Sequence, residues 1–366
     1  MITFVIISAR PTRPYPLRPD LAVFDPVLRT LAAQESPPNF EVILVDAHHA
    51  ERPDLLAGER FPFPVSHIPA PPNPWHALGR SACSAQLNEG IIRSRGEFLF
   101  FGCEAMMFPP EFSKKLAAEF NAGNIPVAWY TTDYSLLNDV ASEHTGSDDP
   151  ANISSVRYAL TPAPLPYDLL GHDGRSVVLD HRAATALTAP PGTSCHWQWY
   201  YLYSGLPTDI ALEINGFDER MDGDISAVDY DMGSRIEMAG HADRLRMQSD
   251  LFVAEVPAQR WEAAPWSMEI SRPAGTPRAA KCNHALYAYS RLTHTPSALA
   301  PLSPDQINDL RMRVCADGGC CGHMKDCRNV AHLRPFGLGE AVDPELFAIW
   351  RSHRPRNLRE EHARIR

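Results

Sequence analysis

Two groups of residues in this 366-residue chain have types and spacings suited to chemistry. The first is the stretch 212–240, LEINGFDERMDGDISAVDYDMGSRIEMAG, which joins a turn, an acidic loop and an amphipathic helix. Asn215-Gly216-Phe217-Asp218-Glu219 reads as a turn after a short apolar strand, with Gly216 supplying backbone freedom. Met232, Ile236 and Met238 then fall at helical spacing, Asp229 and Asp231 sit in the first turn, and Gly240 ends the helix. Carboxylates placed there either complement the helix dipole alone or mark the site of chemistry. The second group is Cys315, Cys320, Cys321 and Cys327, interleaved with glycines and followed by His332. Thiolates at that density are the ligand set of a tetrahedral structural zinc, with His323 or His332 able to replace one of them. The alternative is a reduced, unliganded loop. Zinc would fold a segment with little apolar content of its own.

These residues need elements to position them. Thr3 to Ser8 and Phe40 to Asp46 are continuous apolar runs, the pattern of strands buried on both faces, and the spacing between them predicts a helix over 23–34. In a parallel unit of this kind ligands lie beyond the carboxyl ends of the strands, so Ser8, Ala9, Arg10 and Asp46 should line one crevice. Further strands are expected over 65–68, 96–102, 127–134 and 245–257, with a helix over 76–94 and a long irregular excursion over 138–175. Trp197 and Trp199 lie in an aromatic stretch that either stacks on a sugar or base or packs beneath an acceptor loop.

The motifs, taken in order, resemble those of family 2 glycosyltransferases with the GT-A fold. NGFDE, then Asp229, Asp231, Gly233 and Arg235, are similar to the family's GGFDE…ED-x-D-L-x-x-R-L segment, with Val228 where Glu is usual. The resemblance implies that Asp229 is the general base that deprotonates an acceptor hydroxyl, with Asp218, Glu219 and Asp231 on the acceptor side. Ala33-Gln34 and Val45-Asp46 match the family's first βαβ unit, in which the Asp hydrogen-bonds the donor's base. Residues 85–91, AQLNEGI, resemble A-R-N-x-G-I, which places Asn88 near the donor's phosphates or ribose. Leu87 replaces the Arg, so its phosphate contact passes to Arg80, Arg93 or Arg95. At the D-x-D position Gly102 and Glu104 stand in for the two carboxylates. Glu104 alone remains to hold a Mn²⁺ or Mg²⁺ ion with the donor diphosphate.

The expected fold is therefore α/β: a Rossmann-like mixed sheet flanked by helices over 1–256, and a zinc-stabilised C-terminal extension over 257–366. The expected activity is inverting transfer from a nucleotide-sugar such as a UDP-sugar, of the hexosyltransferase class. The acceptor is a saccharide or, given six Arg against two Glu over 351–366, a hydroxymethylated base of DNA. The alternative is a catalytically degenerate nucleotide-sugar-binding scaffold. A formal charge of -10 argues against a uniformly basic nucleic-acid binder. The N-terminal apolar run is too short for a signal peptide, and no segment reaches the roughly 20 apolar residues of a membrane span. A cytoplasmic location is expected, in which the Cys residues are thiols or metal ligands.

Overall fold

The computed structural model describes residues 1–9, 22–73, 75, 82–132, 177–178, 200, 202–222, 228–255, 296–298, 352 and 354–366. Its strands are β1 (Ile2–Ser8), β2 (Phe40–Asp46), β3 (Val65–Pro69), β4 (Phe98–Cys103), β5 (Met106–Met107), β6 (Ile125–Thr132), β7 (Val177–Val178), β8 (Ser204–Pro207) and β9 (Leu245–Glu255). Its helices are α1 (Asp25–Ala32), α2 (Cys83–Arg93), α3 (Phe112–Asn121), α4 (Thr208–Glu213), α5 (Val228–Ile236) and α6 (Leu358–Ile365).

One mixed sheet runs β3-β2-β1-β4-β8-β6-β9-β5, with β7 paired to β6. The half built from β3, β2, β1 and β4 is parallel, whereas β8 is antiparallel to both β4 and β6. Period-two alternation divides each central strand between two cores. Phe4, Ile6, Val42, Leu44 and Phe100 face α1 and α3. Val5, Ile7, Ile43, Val45 and Phe101 face α2, α4, α5 and α6. Both faces of the parallel half are thus covered, as the unbroken apolar runs required.

The turn at 215–219 does not follow a strand, contrary to the sequence expectation. It follows the helix α4, because Ile210, Ala211 and Ile214 fall on one helical face and are all buried. The helix expected to stop at Gly240 leaves regular α geometry at Ile236 and continues through a wide turn to His241, with Gly240 at φ 87°. Gln34 ties α1 to α3: its amide donates to the Pro109 carbonyl at 2.8 Å, and its carbonyl oxygen accepts from the Ser113 amide at 2.8 Å.

Helix α2 lies tight against β1, and Gly90 is the contact. A Cβ at this position would come within 2.1 Å of Val5 Cγ1. Val5 is stiff at χ1 and fully buried, so it cannot swing aside. Gly90→Ala is expected to cost about 1–3 kcal/mol as an overpacked core. A urea titration of Gly90→Ala beside Gly90→Ala/Val5→Ala checks this, the second change restoring part of the loss.

Candidate functional site

The chain runs from β1 outward to β2 and β3, then returns to the other side of β1 as β4. The carboxyl ends of β1 and β4 therefore flank a topological switch point, where open α/β sheets bind ligands. Register brings the expected residues level. Ser8 pairs with Asp46, and Ile7 pairs with Cys103, directly before Glu104. The Ser8 carbonyl accepts from the Ala47 amide at 2.9 Å and from Gln86 Nε2 of α2 at 2.8 Å. The Glu104 amide donates to the Ile7 carbonyl at 3.2 Å. Ala9 is exposed just beyond.

Packing accounts for the absence of a carboxylate at Gly102. A Cβ built there would lie 2.3 Å from Met106 Sδ and 3.0 Å from Ile6 Cδ1. The Met106 side chain occupies that space, and its sulfur also accepts from the Cys103 amide at 3.1 Å. Among the described residues, no group of three or more His, Cys, Asp or Glu is arranged to hold a metal ion. Glu104 thus brings a single carboxylate to the switch point.

Asp46 is buried at the centre of a knot. Arg52 Nη1 lies 2.8 Å from each of its oxygens, the His48 amide donates at 2.8 Å, and His67 Nε2 is 3.0 Å away. Burial raises the Asp46 carboxyl, but the bonds from His67, the His48 amide and Arg52 outweigh it and hold the pKa below the ordinary 3.8. A folded-state pKa below the unfolded one gives stability that is present above the unfolded value and lost as pH falls through the folded value. Asp46→Asn should cost about 2 kcal/mol at neutral pH, as charged hydrogen bonds do. Its urea midpoint should also fall less steeply than wild type below about pH 4.

The turn after α4 is bound by three other elements. Asn88 of α2 uses both ends of its amide: Oδ1 accepts from the Phe217 amide at 2.8 Å, and Nδ2 donates to the Phe217 carbonyl at 2.8 Å and to Glu219 Oε1 at 3.0 Å. Gly216, at φ 61°, permits that approach, since a Cβ would fall 2.3 Å from Asn88 Oδ1. Arg235 of α5 reaches back to donate to the Ile214 and Gly216 carbonyls at 2.9 and 2.6 Å, and to Asp231 at 2.7 Å. Its guanidinium thereby caps the carboxyl end of α4.

Asp218 and Arg220 form a second buried pair at 2.7 Å. Burial raises Asp218, but the Arg220 charge overcomes it and holds the carboxyl low. Asp231 is pushed up by burial and by the Asp218 charge, against the pull of Arg235. Burial also raises Glu219 and, further, Asp222, to which Glu219 adds its own charge. Asp229 stands in the first turn of α5, one residue after the buried Val228.

Residues 354–366 close the site from behind. Asn215 Nδ2 donates to the Arg356 carbonyl at 2.9 Å, and the Leu358 amide donates to Asn215 Oδ1 at 3.0 Å. Leu358 joins the core beneath Gly216. Arg356 pairs with Glu89 at 2.9 Å and with Glu361 at 2.6 Å, and Arg366 donates to the Arg95 carbonyl at 2.7 Å. Two of the Arg residues behind the expected DNA contact are therefore engaged within the fold. Arg52 and His67 carried no motif. Gln86 lay in the segment that resembles A-R-N-x-G-I, Asp222 in the acidic loop after the Asn-Gly turn and Arg356 in the Arg-rich tail, but no role fell to any of the three from its residue type or spacing.

Arg10, Trp197, Trp199, Cys315, Cys320, Cys321, Cys327, His323 and His332 lie outside the described residues. No described helix is long and apolar enough to cross a membrane. No protein-family model and no curated protein matches the sequence. Solved structures of Staphylococcus aureus TarS are similar at low level. One is 12% identical with a TM-score of 0.43, over 95% of this chain and 50% of that one, so this chain spans about half its length. TarS 1–349 in complex with UDP-GlcNAc is 14% identical, TM-score 0.46, over 95% of this chain and 78% of that one. TarS 1–349 in complex with UDP is 12% identical, TM-score 0.41, over 100% and 90%.

Proposed function

We propose that this protein is a GT-A glycosyltransferase that moves a sugar from a nucleoside-diphosphate donor to an acceptor hydroxyl with inversion. The observation that supports this reading best is the level alignment of Ser8, Asp46 and Glu104 at the switch point between β1 and β4. It stands beside a separately anchored turn and helix that match the family's acceptor segment. Donor binding belongs to the strand ends. The acceptor hydroxyl loses its proton to Asp229 as it attacks the anomeric carbon, through an oxocarbenium-like state, and the diphosphate leaves. A divalent ion held by Glu104 and the donor's phosphates would stabilise charge on the leaving group. A structural zinc held by Cys315, Cys320, Cys321 and Cys327 belongs to the same reading.

Asp46 enters the proposal in a changed role. With four polar contacts on its two oxygens, it orients Arg52 and His67 under the donor's base rather than reading the base itself. The acceptor is a saccharide; a DNA acceptor requires affinity that falls steeply with salt, by counterion release. Hydrolysis of UDP-, GDP- and dTDP-sugars, with Mn²⁺, with Mg²⁺ and with EDTA, tests the activity. Turnover of one donor class is the expected outcome. Donor binding without turnover, with or without a candidate acceptor, would favour a nucleotide-sugar-binding scaffold instead.

A further inference from the structure

One buried carboxylate is matched by no motif. Asp222 is the residue from which the chain leaves the turn toward α5 and Asp229. Its side chain reaches elements far away in sequence. Oδ1 accepts from the Ser84 amide at 2.7 Å, Oδ2 accepts from the Ala85 amide at 3.1 Å, and Asn73 Nδ2 donates at 3.3 Å. Ser84 and Ala85 lie in the first turn of α2, where backbone amides have no partner within the helix. The residue at the helix's own N-cap, Ala82, makes no side-chain cap. Asp222 supplies that cap from 137 and 138 residues away.

The same turn of α2 is fixed to the sheet. Gln86 lies one residue beyond Ala85, is fully buried, and donates to the carbonyl of Ser8 at 2.8 Å. A short path therefore joins the carboxyl end of β1 to Gln86, the first turn of α2 and Asp222. Asn88, one turn further along α2, holds Phe217 and Glu219 of the same turn. Helix α2 is thus the common mount for the donor-side strand end and the acceptor-side turn.

We infer that Asp222 is a positioning residue for sugar transfer: by capping α2, it sets the place of the helix whose Gln86 holds Ser8 at the end of β1 and whose Asn88 holds Phe217 and Glu219 of the turn. The inference rests on the glycosyltransferase reading. A displacement of about 1 Å in a reacting group can cost on the order of 100-fold in rate. Asp222→Asn preserves the size of the side chain and one acceptor oxygen, but turns an NH₂ toward the second amide. Asp222→Ala removes both acceptors.

The test uses the full chain, with the UDP-, GDP- and dTDP-sugars as probes. Asp222→Asn should lower kcat about tenfold or more with the donor KM unchanged, the signature of an interaction that acts on the transition state. Hydrogen exchange should accelerate at Ser84 and Ala85 while the amides of 88–93 stay protected. A purely structural cap would lower Tm and the folded fraction but leave kcat per folded molecule intact, and that result overturns the inference. Should Asp222→Ala fail to fold, Asp222→Asn and the exchange measurement carry the test. Wild type that turns over none of the sugars, whether or not it binds them, removes the glycosyltransferase reading and this inference together. Active wild type with unaltered Asp222→Asn kinetics removes the inference alone.

Discussion

Asp229→Asn is expected to lower donor turnover by about 10²- to 10⁴-fold, the span that general-base catalysis contributes. Donor affinity should stay within about twofold, because a base acting on the acceptor makes no ground-state contact with the nucleotide. The change keeps the side chain's size and its helix-start preference while removing the capacity to take a proton. Asp229 lies in the first turn of α5, on the chain that leaves the turn held by Asn88 and Arg235. Single-turnover hydrolysis and calorimetric titration of UDP, run on both proteins, separate the two quantities. Turnover near wild type would move the proton acceptor to another carboxylate, and Glu219, raised by burial, would be the next to substitute.

Arg235→Leu should produce the largest loss of stability, about 3–5 kcal/mol, the usual consequence of removing one partner from a buried ion pair. Arg235 and Asp231 are each 2% exposed. The guanidinium also serves the carbonyls of Ile214 and Gly216, which its loss would leave without that donor. The double change Arg235→Leu/Asp231→Asn should recover part of the loss, since it no longer strands a carboxylate. Urea unfolding of the two singles and the double forms a thermodynamic cycle, and simple additivity would contradict the pairing. Because Asp231 lies in the same helix turn as Asp229, the single variant should lose activity as well.

The parallel half of the sheet was legible in the residues. Apolar runs marked β1 and β2 to within a residue, and Asp46 ended β2 as read. The short elements were not legible. Ser204–Pro207 is only four residues and carries a Gly and a Pro, so no period-two signal marks β8. Six-residue α4 passed for a strand because a stretch that short shows apolar content without a period. Within the site, the residue types were readable but their partners were not. Asn88 and Asp46 stood in recognisable motifs, yet their hydrogen bonds go to Phe217, Arg52 and His67, and pairings across 129 or 21 residues leave no local pattern. The missing carboxylate at Gly102 could be read as a departure from the family motif. Its cause, the sulfur of Met106 in the space, could be seen only in three dimensions.

The clasp between Asn215 and the segment at 356–358 has a consequence for biosynthesis. Its two hydrogen bonds join residues 141 and 143 positions apart. At a translation rate of about 5–20 residues per second, the turn emerges roughly 7–30 s before its clasp. Throughout that interval the apolar recess that will receive Leu358 is open in the nascent chain. The turn at 215–219 is therefore clasped late, and this is the stage at which a growing chain is exposed to aggregation and open to a chaperone.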